Sequence, residues 1–126
     1  MAFGDIGGVV TELILTCATP ASGSVAIGKG DAVKLTGNYT VTNATSAEDA
    51  VFGQALADAA ENSVAIPVKV RGVCEFQYTG SAPAVDGAAG ITASDTAGKV
   101  KTPASGNGKG INVKVDTAAT TVYVLL

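Results

Sequence analysis

The side chains that could do chemistry in this 126-residue chain are few, and none is a histidine. A nucleophile activated by an imidazole, whether serine or cysteine, therefore cannot be assembled. Carboxylates come in two close pairs, Glu48 with Asp49 and Asp58 with Glu61. Such pairs could flank a glycosidic bond as acid and base. Both lie in polar, turn-like stretches rich in Ala and Asn, where solvated loop charges are the expected reading. Asp86 and Asp95 lack the spaced oxygen ligands of a calcium loop. Cys17 and Cys74 are too few to hold zinc without histidine. The glycine-rich "GNGKG" of 106 to 110 lacks the GxxxxGK[ST] spacing of a phosphate loop and reads as a hairpin turn. "NAT" at Asn43 matches a glycosylation acceptor by letter, which matters only in a secreted protein.

The elements that would have to position any site are short and extended. From Ile66 through Val68, Val70, Gly72, Cys74 and Phe76 to Tyr78, alternate positions are mostly apolar, while Lys69, Arg71, Glu75 and Gln77 fall between them. Period two predicts a half-buried strand over 63–79. Further strands are predicted over 11–17, 31–37, 39–43, 50–57, 97–102, 111–116 and 120–126. Gly28, Gly30, Asn38, Asp86 with Gly87, and 105–110 supply the turns between them. Gly53 interrupts the one Ala-rich stretch that could be helical, so a strand is expected there too. The fold class that follows is all-β, a compact barrel or sandwich of short strands. Pro67 cannot donate to a ladder, which predicts a sheet edge, a strand start or a bulge. Gly72 predicts a bend that lets one long strand serve two parts of a curved sheet.

A shift of 58 residues aligns "D-x-A-x-x-x-V-x-[IV]" from Asp58 to Ile66 with Asp116 to Val124. Two weakly repeated β units sharing one core, 25–68 and 83–126, are one reading; self-alignment of any alternating chain is the other. Residues 1–20 form an N-terminal arm or first strand, and 21–126 a single β domain.

Composition narrows the partners. The net charge is −3 and the eight basic residues are scattered singly, so no basic stripe tracks phosphates and nucleic acid is not expected. No apolar run approaches the length that spans a bilayer, and the start lacks the basic residues of a secretory signal. The expectation is a soluble protein made in a cytoplasm. Its two cysteines are read as buried thiols in preference to a disulfide, which stays open because the sequence gives no distance between them. With three Phe, three Tyr and no Trp, exposed stacking platforms are scarce. No catalytic function and no cofactor are expected; a structural or interaction module is the simplest reading.

"ELILTCATPASGSVAIGKGDAVKL" (12–35) and "VFGQALADAAENSVAIPVKVRGVCEF" (51–76) resemble the small capsid cement, or head decoration, proteins of tailed bacteriophages. The matching elements are the turn at Thr16 to Pro20, the strand at Gly30 to Leu35, Phe52 to Ala60, and Val68 to Glu75. The two quoted stretches cover about two-fifths of the chain. The apolar, glycine-rich opening departs from the pattern. The resemblance implies a virion protein on the capsid exterior, a homotrimer bound to the major capsid protein at or near three-fold positions, that stabilises the mature head. Contact with a subunit or the capsid is then expected at Lys69, Arg71, Glu75 and Gln77, beside an edge marked by Pro67. The second contact expected is the arm carrying Phe3, Ile6, Val9 and Val10, which could add a strand to a capsid sheet. Two rivals remain. A carbohydrate- or cell-surface-binding β module would need Tyr39, Tyr78 and Tyr123 exposed and clustered, and a carboxylate hydrolase would need Glu48 or Asp58 in a cleft with a raised pKa.

Overall fold

A computed structural model describes residues 12–85, 89–105 and 108–126. The arm residues Phe3, Ile6, Val9 and Val10 lie outside that set, as do Asp86, Gly87, Gly106 and Asn107. The described residues form ten β-strands and no helix, so the chain is all-β.

Five strands close the first half into a barrel: β1 (Leu13–Ala18), β2 (Ala32–Gly37), β3 (Thr40–Thr42), β4 (Gly53–Ala55) and β5 (Ala65–Arg71). Around the barrel their order is β1-β3-β2-β4-β5. Every contact is antiparallel except β1 against β3, which meet in a parallel bridge of Ala18 with Thr40. Alternation along β5 puts Ile66, Val68 and Val70 inside, where they pack with Cys17, Val33, Val41 and Ala55.

The second half repeats this order with sparser pairing. Its strands are β6 (Val73–Gln77), β7 (Thr92–Ala93), β8 (Val100–Lys101), β9 (Ile111–Asp116) and β10 (Thr121–Leu125). β6, β10 and β9 form one antiparallel sheet, and β7 pairs with β8. Single bridges complete the circuit: Ile91 to Lys109 joins the starts of β7 and β9, and Tyr78 to Val100 joins the end of β6 to β8. The Tyr78–Val100 bridge is parallel, like Ala18–Thr40, and both of its residues stand 60 positions further along the chain. Cys17 opposite Ile66 likewise corresponds to Cys74 opposite Val124. The rings begin at β1 and β6, so they take in more of the chain than 25–68 and 83–126.

Each ring has its own core, where a single shared one was expected. Phe76, Tyr78, Ile91, Val100, Val122 and Val124 fill the second, joined by Ala32 and Val51 from the first ring. Burying each Val, Ile or Phe contributes about 1.5–3 kcal/mol. The thiols of Cys17 and Cys74 belong to different cores and are both free. Burial pushes both above the ordinary thiol value.

Gly72, at φ 118°, divides the predicted 63–79 strand into β5 and β6. The turn passes the chain from one ring to the other, where a continuous curved sheet was expected. Pro67 sits in mid-strand of a closed barrel, at neither an edge nor a strand end, with Thr16 opposite it in β1. Its carbonyl accepts from Leu56 N (3.0 Å), just past the end of three-residue β4. A strand residue directs its N–H and C=O to the same neighbour. The missing donor of Pro67 therefore faces Leu56, one residue past the end of β4, where the bond from Leu56 N is the one that continues the pairing.

Candidate functional site

The four residues expected to form one outward contact are divided by the bend at Gly72. Lys69 is committed within the chain: its ammonium pairs with Glu12 (3.3 Å) and donates to the Val73 carbonyl (3.0 Å), which leaves its side chain 15% exposed. It is not a free contact residue, because the bend brings β1, Gly72 and Val73 around it. With Pro67 inside a closed strand, no edge accompanies it. Arg71 is exposed, and its guanidinium donates to its neighbour's carbonyl at Val70 (3.1 Å).

Glu75 and Gln77 belong to the second ring. They line a cleft of about 280 Å³ between the rings, with Lys29, Asp31, Lys99 and Thr121 on its other walls. The Glu75 carboxylate, beside the Tyr123 hydroxyl, pushes that hydroxyl above the ordinary tyrosine value. Asp31 is structural, accepting from Gly28 N and Asn43 Nδ2, both at 2.8 Å. The buried Asn43 amide also donates to the Ala26 carbonyl, so the "NAT" letters mark a fold-holding side chain.

The carboxylate pair Glu48 and Asp49 is held by lysines. Asp49 meets Lys34 at 2.7 Å and Glu48 meets Lys101 at 3.0 Å. Those ammonium groups, with the backbone N–H groups of Ala104 and Ser46, pull both carboxyls below their ordinary range. A general acid needs a shift in the opposite direction. Nor do the tyrosines cluster: Tyr78 is in the core, Tyr123 is half-buried under the Lys114 ammonium, and Tyr39 is 69% exposed. Among the described residues, no three His, Cys, Asp or Glu side chains group to hold a metal ion, and no helix is long and apolar enough to cross a membrane.

The surface that stands out surrounds the open end of the first ring. β2 and β3 join through a two-residue turn, Asn38 and Tyr39, closed by Gly37 opposite Thr40. Tyr39 takes φ 51°, a left-handed conformation that suits Gly or Asn and strains a bulky residue. Leu35 is 49% exposed, and Leu15 and Phe52 are half-buried beside it. With Tyr39 they line an apolar mouth of about 700 Å³. Leu35 and Phe52 also wall a neighbouring cleft of about 370 Å³ that Lys34, Asp49 and Lys109 help to enclose. The sequence offered one signal for this region: a Tyr where the Asn-Gly of a tight hairpin would be expected. The approach of Lys109 to Phe52 across 57 positions left no local trace.

No protein-family model matches the chain, and the search of curated proteins found no match.

Proposed function

We propose that this chain is a structural docking protein that decorates the outside of an assembled phage capsid, binding the major capsid protein as a homotrimer and stabilising the mature head. The observation that carries the docking part is the Tyr39 hairpin. A strained, solvent-exposed aromatic ring beside the unfilled mouth formed by Leu15, Leu35 and Phe52 weakens the isolated fold. An external contact would compensate that cost. The capsid is named as partner on the sequence resemblance at 12–35 and 51–76. Many copies on a lattice need only modest affinity each, since a protein bound to the closed shell alone stabilises it by mass action. The lowered carboxyls of Glu48 and Asp49 and the burial of Tyr78 weigh against the hydrolase and glycan-binding readings.

The test is co-sedimentation of the purified protein with empty mature capsids, alongside its mass by light scattering. Saturable binding with stoichiometry locked to the lattice supports the reading. A protein left in the supernatant at micromolar concentration would sink it.

A further inference from the structure

The groove at the mouth of the first ring has a polarity that selects what can enter it. At one end are the apolar side chains Leu15, Leu35 and Tyr39; at the other stands the ammonium of Lys109, with Phe52 between them. Lys34, nearby, is neutralised by Asp49 at 2.7 Å. Lys109 is not. Its half-buried ammonium donates to the Phe52 carbonyl at 2.9 Å and lies 5.9 Å from the centre of that ring. Among the described residues no carboxylate is within ion-pair distance of it, or of the exposed Arg71. Burial pushes this ammonium below the ordinary lysine value, and the positive charge of Arg71 adds to the effect. An ammonium has three donors, and this one spends one of them within the chain, on the Phe52 carbonyl. In a chain of net charge −3, this is a local excess of positive charge beside an apolar hollow.

We propose that the groove docks an acidic, apolar segment of a protein partner, with one apolar side chain seated against Leu35 and Phe52 and an adjacent carboxylate bonded to Lys109. This rests on the docking reading and names the chemistry of the partner at that site. The apolar seat supplies affinity. The carboxylate fixes orientation, because elsewhere the negative chain repels it. The Tyr39 ring forms the rim, an amphipathic aromatic of the kind enriched where partners meet.

The test uses small probes on the intact protein, read by amide NMR. N-acetyl-leucine carries one branched apolar side chain beside one carboxylate; N-acetyl-leucinamide has the same side chain without the charge. The acid is expected to shift the Leu35, Phe52 and Lys109 signals at concentrations at least tenfold lower than the amide does. Lys109→Met should erase that difference, and Leu35→Ser should weaken both probes, with the remaining spectrum unchanged as evidence of folding. Equal binding of the two probes, or shifts confined to other residues, overturns the proposal. Octanoate binding tenfold more tightly than N-acetyl-leucine also overturns it, in favour of an acyl-chain site. Capsid sedimentation separates this proposal from the broader reading. If Leu35→Ser and Lys109→Met bind capsids as wild type does, the groove is not the contact and decoration survives. If wild type itself fails to bind, decoration falls while the probe titration still decides the groove.

Discussion

Gly98 shows how much of this fold can hang on the absence of one side chain. It takes φ 76°, donates its N–H to Asn43 (3.1 Å), and accepts at its carbonyl from Ala32 N (2.9 Å), joining the rings by two backbone bonds. A β-carbon there would run into the Asp31 carboxylate, which cannot swing away without dropping Gly28 N and Asn43 Nδ2. Gly98→Ala is expected to cost about 2–4 kcal/mol, the sum of left-handed strain and the clash. Gly23→Ala is the control. At φ 86° it meets nothing within 4 Å, so strain of about 1 kcal/mol should be the whole effect. Urea midpoints measure both, and equal losses would mean that the Asp31 contact is relieved easily.

At the scale of the element, the β2–β3 hairpin sets stability against contact. The two-residue turn requires φ of 51° at Tyr39. Tyr39→Gly should therefore stabilise the isolated protein by about 0.5–1 kcal/mol, raising its melting temperature, while weakening whatever the mouth binds. Opposite signs in the two assays are the signature of a residue kept for contact. A loss of stability would show instead that the ring packs usefully on the mouth, and would remove the main ground for treating this hairpin as a docking element. The neighbouring long strand illustrates the same division of labour. Its period two puts Ile66, Val68, Val70, Cys74, Phe76 and Tyr78 inside as expected, yet the turn at Gly72 sends the two segments into different rings. The outward residues on either side of it thus serve different surfaces.

At the scale of the whole molecule, the described residues form two rings of like order that are bonded to each other. Besides Gly98, Glu48 N donates to Ala93 O, Ala93 N to Asp49 O, and the Gln54 amide to the Glu75 carbonyl (2.6 Å). Ala32 and Val51 of the first ring pack into the core of the second. Opening one ring would strand these donors and expose both alkyl faces, so the rings are expected to unfold together. Calorimetry should show one transition, with calorimetric and van't Hoff enthalpies equal. Val68→Ala in one core and Val122→Ala in the other should lower the same melting temperature. Two separated transitions would mean that the joint is weaker than its bonds suggest. The sequence by itself determined the all-β class, the places of most strands though not of β7, and the inward face of 63–79, because alternation and turn residues act over a few neighbours. It carried a faint register of 58 residues but not the order of strands around either ring. Nor did it reveal that each ring has its own core. Only the tertiary structure decided that Lys69 is spent on Glu12 and Val73, that Pro67 faces the end of β4, and that Lys109 reaches Phe52. Those outcomes depend on which distant segments the closing of each ring brings side by side, and local spacing holds no information about such meetings.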